Sequence, residues 1–131
     1  MNICLDMMGG DHAPVEAMKG VREYLSSPAS EVNLLLTGDE SQLTQLAGEH
    51  RIDASRVQFV HAPEVIGYHE HPTKALKEKT RSSISIGFQL LASGKADAFI
   101  SAGNTGAMLV GALFSLKTIP GILRPTISTV I

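Results

Sequence analysis

Ala98-Phe99-Ile100-Ser101-Ala102-Gly103-Asn104-Thr105-Gly106-Ala107 is the stretch on which the fold turns. Residues 98 to 101 read as a short strand, small residues and glycines follow, and residues 105 to 117 carry a helical pattern. The same alternation fills the rest of the chain. Residues 2 to 6 read as a strand, and residues 14 to 25 as a helix with Met18, Val21 and Leu25 on one face and Pro14 in its first turn. Residues 32 to 36 form a second strand, ended by Thr37-Gly38-Asp39, where Asp39 can cap a helix running to about Gly48 with Leu43 and Leu46 inward. Residues 57 to 60 read as a third strand. A loop with Pro63 and Gly67 leads into a long helical pattern over residues 73 to 93 that buries Leu76, Ile84, Phe88 and Leu91. Residues 126 to 131 read as a fifth strand.

Strands alternating with helices predict an α/β fold: a three-layer α/β/α, Rossmann-like open sheet, mostly parallel, with right-handed crossovers. The 131 residues and 44% hydrophobic content suit one domain with a real core. Ending on an unfollowed strand, the chain is expected to be the front part of a larger catalytic domain, so the sheet is expected to be incomplete at its carboxyl end. Eleven basic against thirteen acidic side chains leave no global attraction for nucleic acid or an anionic membrane. The amino terminus does not read as a secretory signal, and a single cysteine cannot form an internal disulfide, which suits a reducing cytoplasm. The longest apolar stretch, residues 107 to 116, is too short to span a bilayer.

In open parallel sheets ligands bind beyond the carboxyl ends of the strands, and two loops there are unusual. Asp6-Met7-Met8-Gly9-Gly10-Asp11-His12-Ala13-Pro14 brings paired glycines and then Asp11 and His12 to the start of a helix. A tight turn with a capping aspartate explains that pattern equally well. Ser101-Ala102-Gly103-Asn104-Thr105-Gly106-Ala107 exposes backbone amides at the positive end of a helix dipole, which can hold phosphate without a positive side chain. Alone it is also a common compact connection.

Together these two loops resemble the phosphate acyltransferases of bacterial phospholipid synthesis, and the likeness extends in order through Thr37-Gly38-Asp39, Lys79 with Ser82-Ser83, Ala96-Asp97-Ala98 and Arg124-Pro125. Met7 and the histidine-bearing loop at 69 to 71 depart from the pattern, and members of that family are longer. The resemblance implies conversion of acyl-acyl carrier protein and inorganic phosphate into acyl phosphate, with no cofactor, in a cytoplasmic homodimer that touches the inner face of the membrane through parts beyond this chain. Gly103, Asn104, Thr105 and Gly106 are then candidates for the phosphate cradle, with Lys79, Ser82 and Ser83 as further donors. Asp11, His12 and Asn104 are candidates for catalysis. Lys74, Lys77 and Arg81, read on one helical face of a locally basic segment, are candidates for docking the acidic carrier protein. A phosphotransacetylase-like enzyme using acyl-coenzyme A, or an inactive fragment or binding module, are the alternatives.

Three other readings are weaker. His61, His69 and His71, with Glu70, lack the spacing of a zinc site. Cys4 in a central strand is expected to be an inert apolar residue rather than an acyl acceptor. The basic run at 74 to 81 is, by default, a solvated face.

Overall fold

A computed structural model describes residues 1–27, 31–123 and 126–128. Strands β1 (Asn2–Asp6), β2 (Asn33–Gly38), β3 (Val57–His61) and β4 (Ala98–Ile100) form one sheet in the order β3-β2-β1-β4, every pair parallel. Helices α1 (Val15–Ser26), α2 (Glu40–Glu49), α3 (Pro72–Glu78), α4 (Ser83–Ala92) and α5 (Thr105–Ser115) connect them, with a 3-10 turn at Ala54–Arg56 before β3. All strand ends that matter to function therefore lie on one edge.

The strand alternation assigns the faces. Leu34 and Leu36 pack with Met18 and Val21 of α1 and Leu43 and Ala47 of α2, whereas Cys4 and Leu35 look to the opposite face, where Leu90 of α4 and Phe99 lie. Because β2 is covered on both sides, its residues Leu34, Leu35, Leu36 and Thr37 are all buried, the run expected of an inner parallel strand. Fully burying such side chains stabilises by about 1.5–3 kcal/mol each. On the α4 face, the Phe88 and Phe99 rings meet edge to face, 5.2 Å apart at 80°. Gly87 lets α4 settle on the Phe99 ring and Gly111 lets α5 settle on Phe88, since a Cβ at either position would strike the ring. The helix layer that carries the 101–107 turn is thereby seated on the sheet.

The chain departs from the expected elements in two places. The long helix expected over residues 73 to 93 is two helices, α3 and α4, broken at residues 79 to 82. Here the chain turns aside to bond to the loop after β3: the Arg81 amide donates to the Glu64 carboxylate (2.9 Å), the Ser83 amide donates to the Glu64 carbonyl (3.1 Å), and Ser82 pairs with Glu64 as a short parallel bridge. The Ser82 hydroxyl then caps α4 by accepting from the Ser85 amide (3.2 Å). Leu76 and Ile84 still fall at helical spacing across the break, which is why the apolar period runs through it. Of the fifth strand expected at 126 to 131, residues 126–128 are not in a strand, and residues 129–131 lie outside the described residues, as do Arg124 and Pro125.

Candidate functional site: two turns that cross at the carboxyl edge of the sheet

Asp6, the last residue of β1, is buried and uses both carboxylate oxygens. Oδ1 accepts from the Met8 amide (3.0 Å), which bends its own loop, and Oδ2 accepts from the Ser101 hydroxyl (2.6 Å), which begins the other loop. Ser101 Oγ accepts in turn from the Gly103 amide (3.0 Å). The Met7 amide donates to the Thr37 carbonyl (3.0 Å), so the first loop is tied to β2 as well. At the crossing the backbones touch: a Cβ on Gly9 would stand 2.6 Å from the Gly103 nitrogen and 2.7 Å from Asp6 Oδ2. Gly10 follows at φ +112°, a left-handed conformation that glycine adopts without strain.

Asn104 is buried at the start of α5 and both ends of its amide are engaged. Oδ1 accepts from the Ala107 amide (2.9 Å), capping the helix. Nδ2 faces three carbonyls of the loop after β3: Gly67 (3.0 Å), Glu70 (3.2 Å) and Tyr68 (3.4 Å). The Tyr68 hydroxyl donates to the Ala102 carbonyl (3.3 Å), and Pro72 packs against Gly106. The turn is thus clamped from above by a loop that sequence reasoning left without a role. The Thr105 and Gly106 amides, in the first turn of α5, have no intrahelical acceptor and are the donors this arrangement offers to an anion.

The other expected site residues are distributed as follows. Asp11 and His12 lie exposed on the first loop, and α1 follows Pro14 without a side-chain cap, so the capping-aspartate alternative does not describe this turn. The Lys79 ammonium donates to Glu70 Oε2 (2.6 Å) and to the Val65 carbonyl (2.7 Å), so it braces the loop after β3. Ser82 and Ser83 are buried at the start of α4. The Ser82 hydroxyl donates to Ser85 Oγ (2.8 Å), and the Ser85 hydroxyl donates to the Lys79 carbonyl (2.9 Å). Lys79, Ser82 and Ser85 are thus linked to one another and, through Glu70, to Asn104 at the start of α5, whereas Ser83 bonds to Glu64 and Asp11 and His12 stand apart on the first loop. Lys74 and Lys77 are exposed on α3, but Arg81 lies beyond that helix in the 79–82 break, so the three cations do not form one helical stripe. The helix break is the reason. His61 Nδ1 accepts from the Glu40 amide (3.3 Å) at the start of α2, and His71 precedes α3.

Two open spaces adjoin the crossing. One, about 360 Å³, is bounded by Ser101, Gly103, Thr105 and Met108. The other, about 430 Å³, runs along the α1 face from Gly9, Ser101 and Ala102 past Ile3, Leu5 and Tyr24, and is almost wholly apolar. A polar turn beside an apolar groove can hold an anion next to a hydrocarbon. Cys4 is no nucleophile for such a ligand: it is fully buried, and its thiol is pushed up to about 12, chiefly by burial, with the Thr37 hydrogen bond opposing and the Asp6 charge adding.

By fold this is a doubly wound α/β protein, and the turns leaving β1 and β4 meet at the carboxyl edge of its sheet, the edge at which open α/β sheets bind ligands. Comparison with known proteins gives the family. A family model described as fatty acid synthesis protein matches residues 1–131, and the chain belongs to that family. The phosphate acyltransferase of Dictyoglomus thermophilum is 47% identical over 131 residues, covering 100% of this chain and 38% of its own length. That of Desulforamulus reducens is 43% identical over 132 residues, covering 100% of this chain and 38% of its own length. That of Chlorobaculum parvum is 42% identical over 127 residues, covering 97% of this chain and 37% of its own length. The chain thus spans about 38% of the length of the curated relatives it matches.

Proposed function

We propose that this chain forms the phosphate-holding part of a phosphate acyltransferase that moves a fatty acyl group from acyl carrier protein onto inorganic phosphate. The observation that carries the reading is the clamped α5 turn: two free amides at the positive end of a helix, fixed by Asn104, beside an apolar groove. Phosphate is itself the nucleophile. One phosphate oxygen attacks the thioester carbonyl, the C–O bond forms as the C–S bond breaks, and the carrier thiolate leaves and takes up a proton. No enzyme nucleophile is needed, which accords with a buried, protonated Cys4. The site has to desolvate phosphate, align it with the carbonyl and stabilise the developing oxyanion. Asp11 and His12, exposed on the neighbouring loop, are available to orient substrate or move the proton. The enzyme works in this reading as a cytoplasmic homodimer, with membrane contact made by regions beyond these residues.

The test is acyl phosphate formation by the full-length protein. Product should appear only with phosphate present, and acyl carrier protein should be a far better donor than coenzyme A. Preference for the coenzyme A thioester would favour a phosphotransacetylase-like enzyme, and no transfer from either donor would remove the reading.

The carrier protein is expected to approach across Lys74, Lys77 and Arg81. All three are exposed, and Lys74 has only a loose 3.9 Å pairing with Glu78. Single exposed pairs contribute about 0.2–1 kcal/mol, so the effect belongs mainly to association rate and fades with salt. Reversing all three to Glu should raise the KM for acyl carrier protein at low salt and leave the KM for phosphate unchanged. Wild-type carrier-protein kinetics in that variant would reduce this surface to a solvated face.

A further inference from the structure

The loop between β3 and α3 supplies three carbonyls to the Asn104 amide, and Glu70 is where that loop is tied together. Glu70 Oε2 accepts from the Gly67 amide (2.6 Å) and from the Lys79 ammonium (2.6 Å). The main-chain carbonyl of the same residue accepts from Asn104 Nδ2 (3.2 Å). One carboxylate oxygen therefore closes the 67–70 turn, and that closed turn presents the carbonyls of Gly67, Tyr68 and Glu70 to a single nitrogen. Lys79 gives the arrangement a fixed post: its ammonium also holds the Val65 carbonyl, and its own carbonyl is held by Ser85 of α4.

We infer that Glu70 is a positioning residue for the anion-binding turn: paired with Lys79 it sets the 67–70 turn, and through that turn the Asn104 side chain that orients the first amides of α5. The ion pair is about one-third exposed at each partner, so its worth lies in geometry rather than in stability. Hydrogen bonding from Lys79, then from the Gly67 amide, holds the Glu70 carboxyl below the usual glutamate range, so the tie is intact at neutral pH. Lys79, on this view, acts on phosphate only through Glu70.

The kinetic arm of the test rests on the proposed reaction, and a second arm does not. Glu70→Gln keeps the size and an acceptor for the Gly67 amide but removes the charge. In the full-length protein it should raise the KM for phosphate about tenfold while leaving kcat and the KM for the acyl donor close to wild type, as expected when an anion site is misaligned. Lys79→Met should do the same, and the double variant should be no worse than either single. Amide hydrogen exchange should quicken over residues 102–107 in Glu70→Gln and stay unchanged in α2. Unchanged exchange at 102–107, or additive losses in the double variant, would overturn the inference, the second because Lys79 would then touch phosphate itself. If the wild-type protein transfers no acyl group to phosphate but exchange responds as stated, positioning stands and the functional reading fails.

Discussion

Gly9→Ala should lower both the stability of the fold and its turnover. The added methyl would lie 2.6 Å from the Gly103 nitrogen, 2.7 Å from Asp6 Oδ2 and 3.0 Å from Ser101 Oγ. None of the three can swing away: one is backbone, and the other two are bonded to each other at 2.6 Å. The two turns must separate, breaking the Asp6–Ser101 and Ser101–Gly103 bonds. Overpacking of this kind costs about 1–3 kcal/mol, a sizeable share of a domain stability of about 5–15 kcal/mol. The urea midpoint should fall, and phosphate-dependent turnover should be nearly lost because the Gly103–Gly106 amides move with the turn. Gly20→Ala, inside α1 with nothing within 4 Å of the new methyl, is the stability control and should gain roughly 0.5–1 kcal/mol. A wild-type midpoint and turnover in Gly9→Ala would show that the backbones do not meet at the crossing.

Asn104 is the second large effect, and two variants separate its duties. Asn104→Ala removes a helix cap and the donor shared by three carbonyls, together about 2–4 kcal/mol. Asn104→Asp keeps the capping oxygen, and a negative charge at a helix amino terminus is worth about 0.3–1 kcal/mol, but it sets an anion against the carbonyls of Gly67, Tyr68 and Glu70. The Ala variant should therefore lose both the cap and the loop, and the Asp variant the loop alone. Only Asp also repels an anion at the Thr105 and Gly106 amides, so its KM for phosphate should rise further than that of Ala. Equal phosphate kinetics in the two variants would place the anion elsewhere.

Much of this was legible in the residues because the signals were local. Asp39 caps α2 as its position after Thr37-Gly38 suggests, accepting from the Gln42 amide (2.9 Å), and the apolar periods of α1, β2 and α5 give elements within a residue or two of those expected. The break at 79–82 was hidden because its bonds run to Glu64, whose distance along the chain gives no periodic trace. The clamp on Asn104 was hidden for the same reason: Gly67, Tyr68 and Glu70 lie 34 to 37 positions upstream. The sequence pattern marked Asn104 and Lys79 as important. It could not distinguish a side chain that touches a ligand from one that holds the groups which do.

The Asp6–Ser101 bond, finally, bears on how the protein is born. Its partners are 95 positions apart, and β4 pairs with β1 although it is made last of the four strands. At roughly 5–20 residues per second, a ribosome needs roughly 5–20 s to go from one partner to the other. For that interval β1 has β2 on one flank and no β4 on the other, and the Asp6–Pro14 turn, though tied to β2 through Met7, lacks its contacts with Ser101 and Gly103. The first loop to be synthesised is thus among the last to be fully tied down, because its bond to Ser101 forms only once β4 docks.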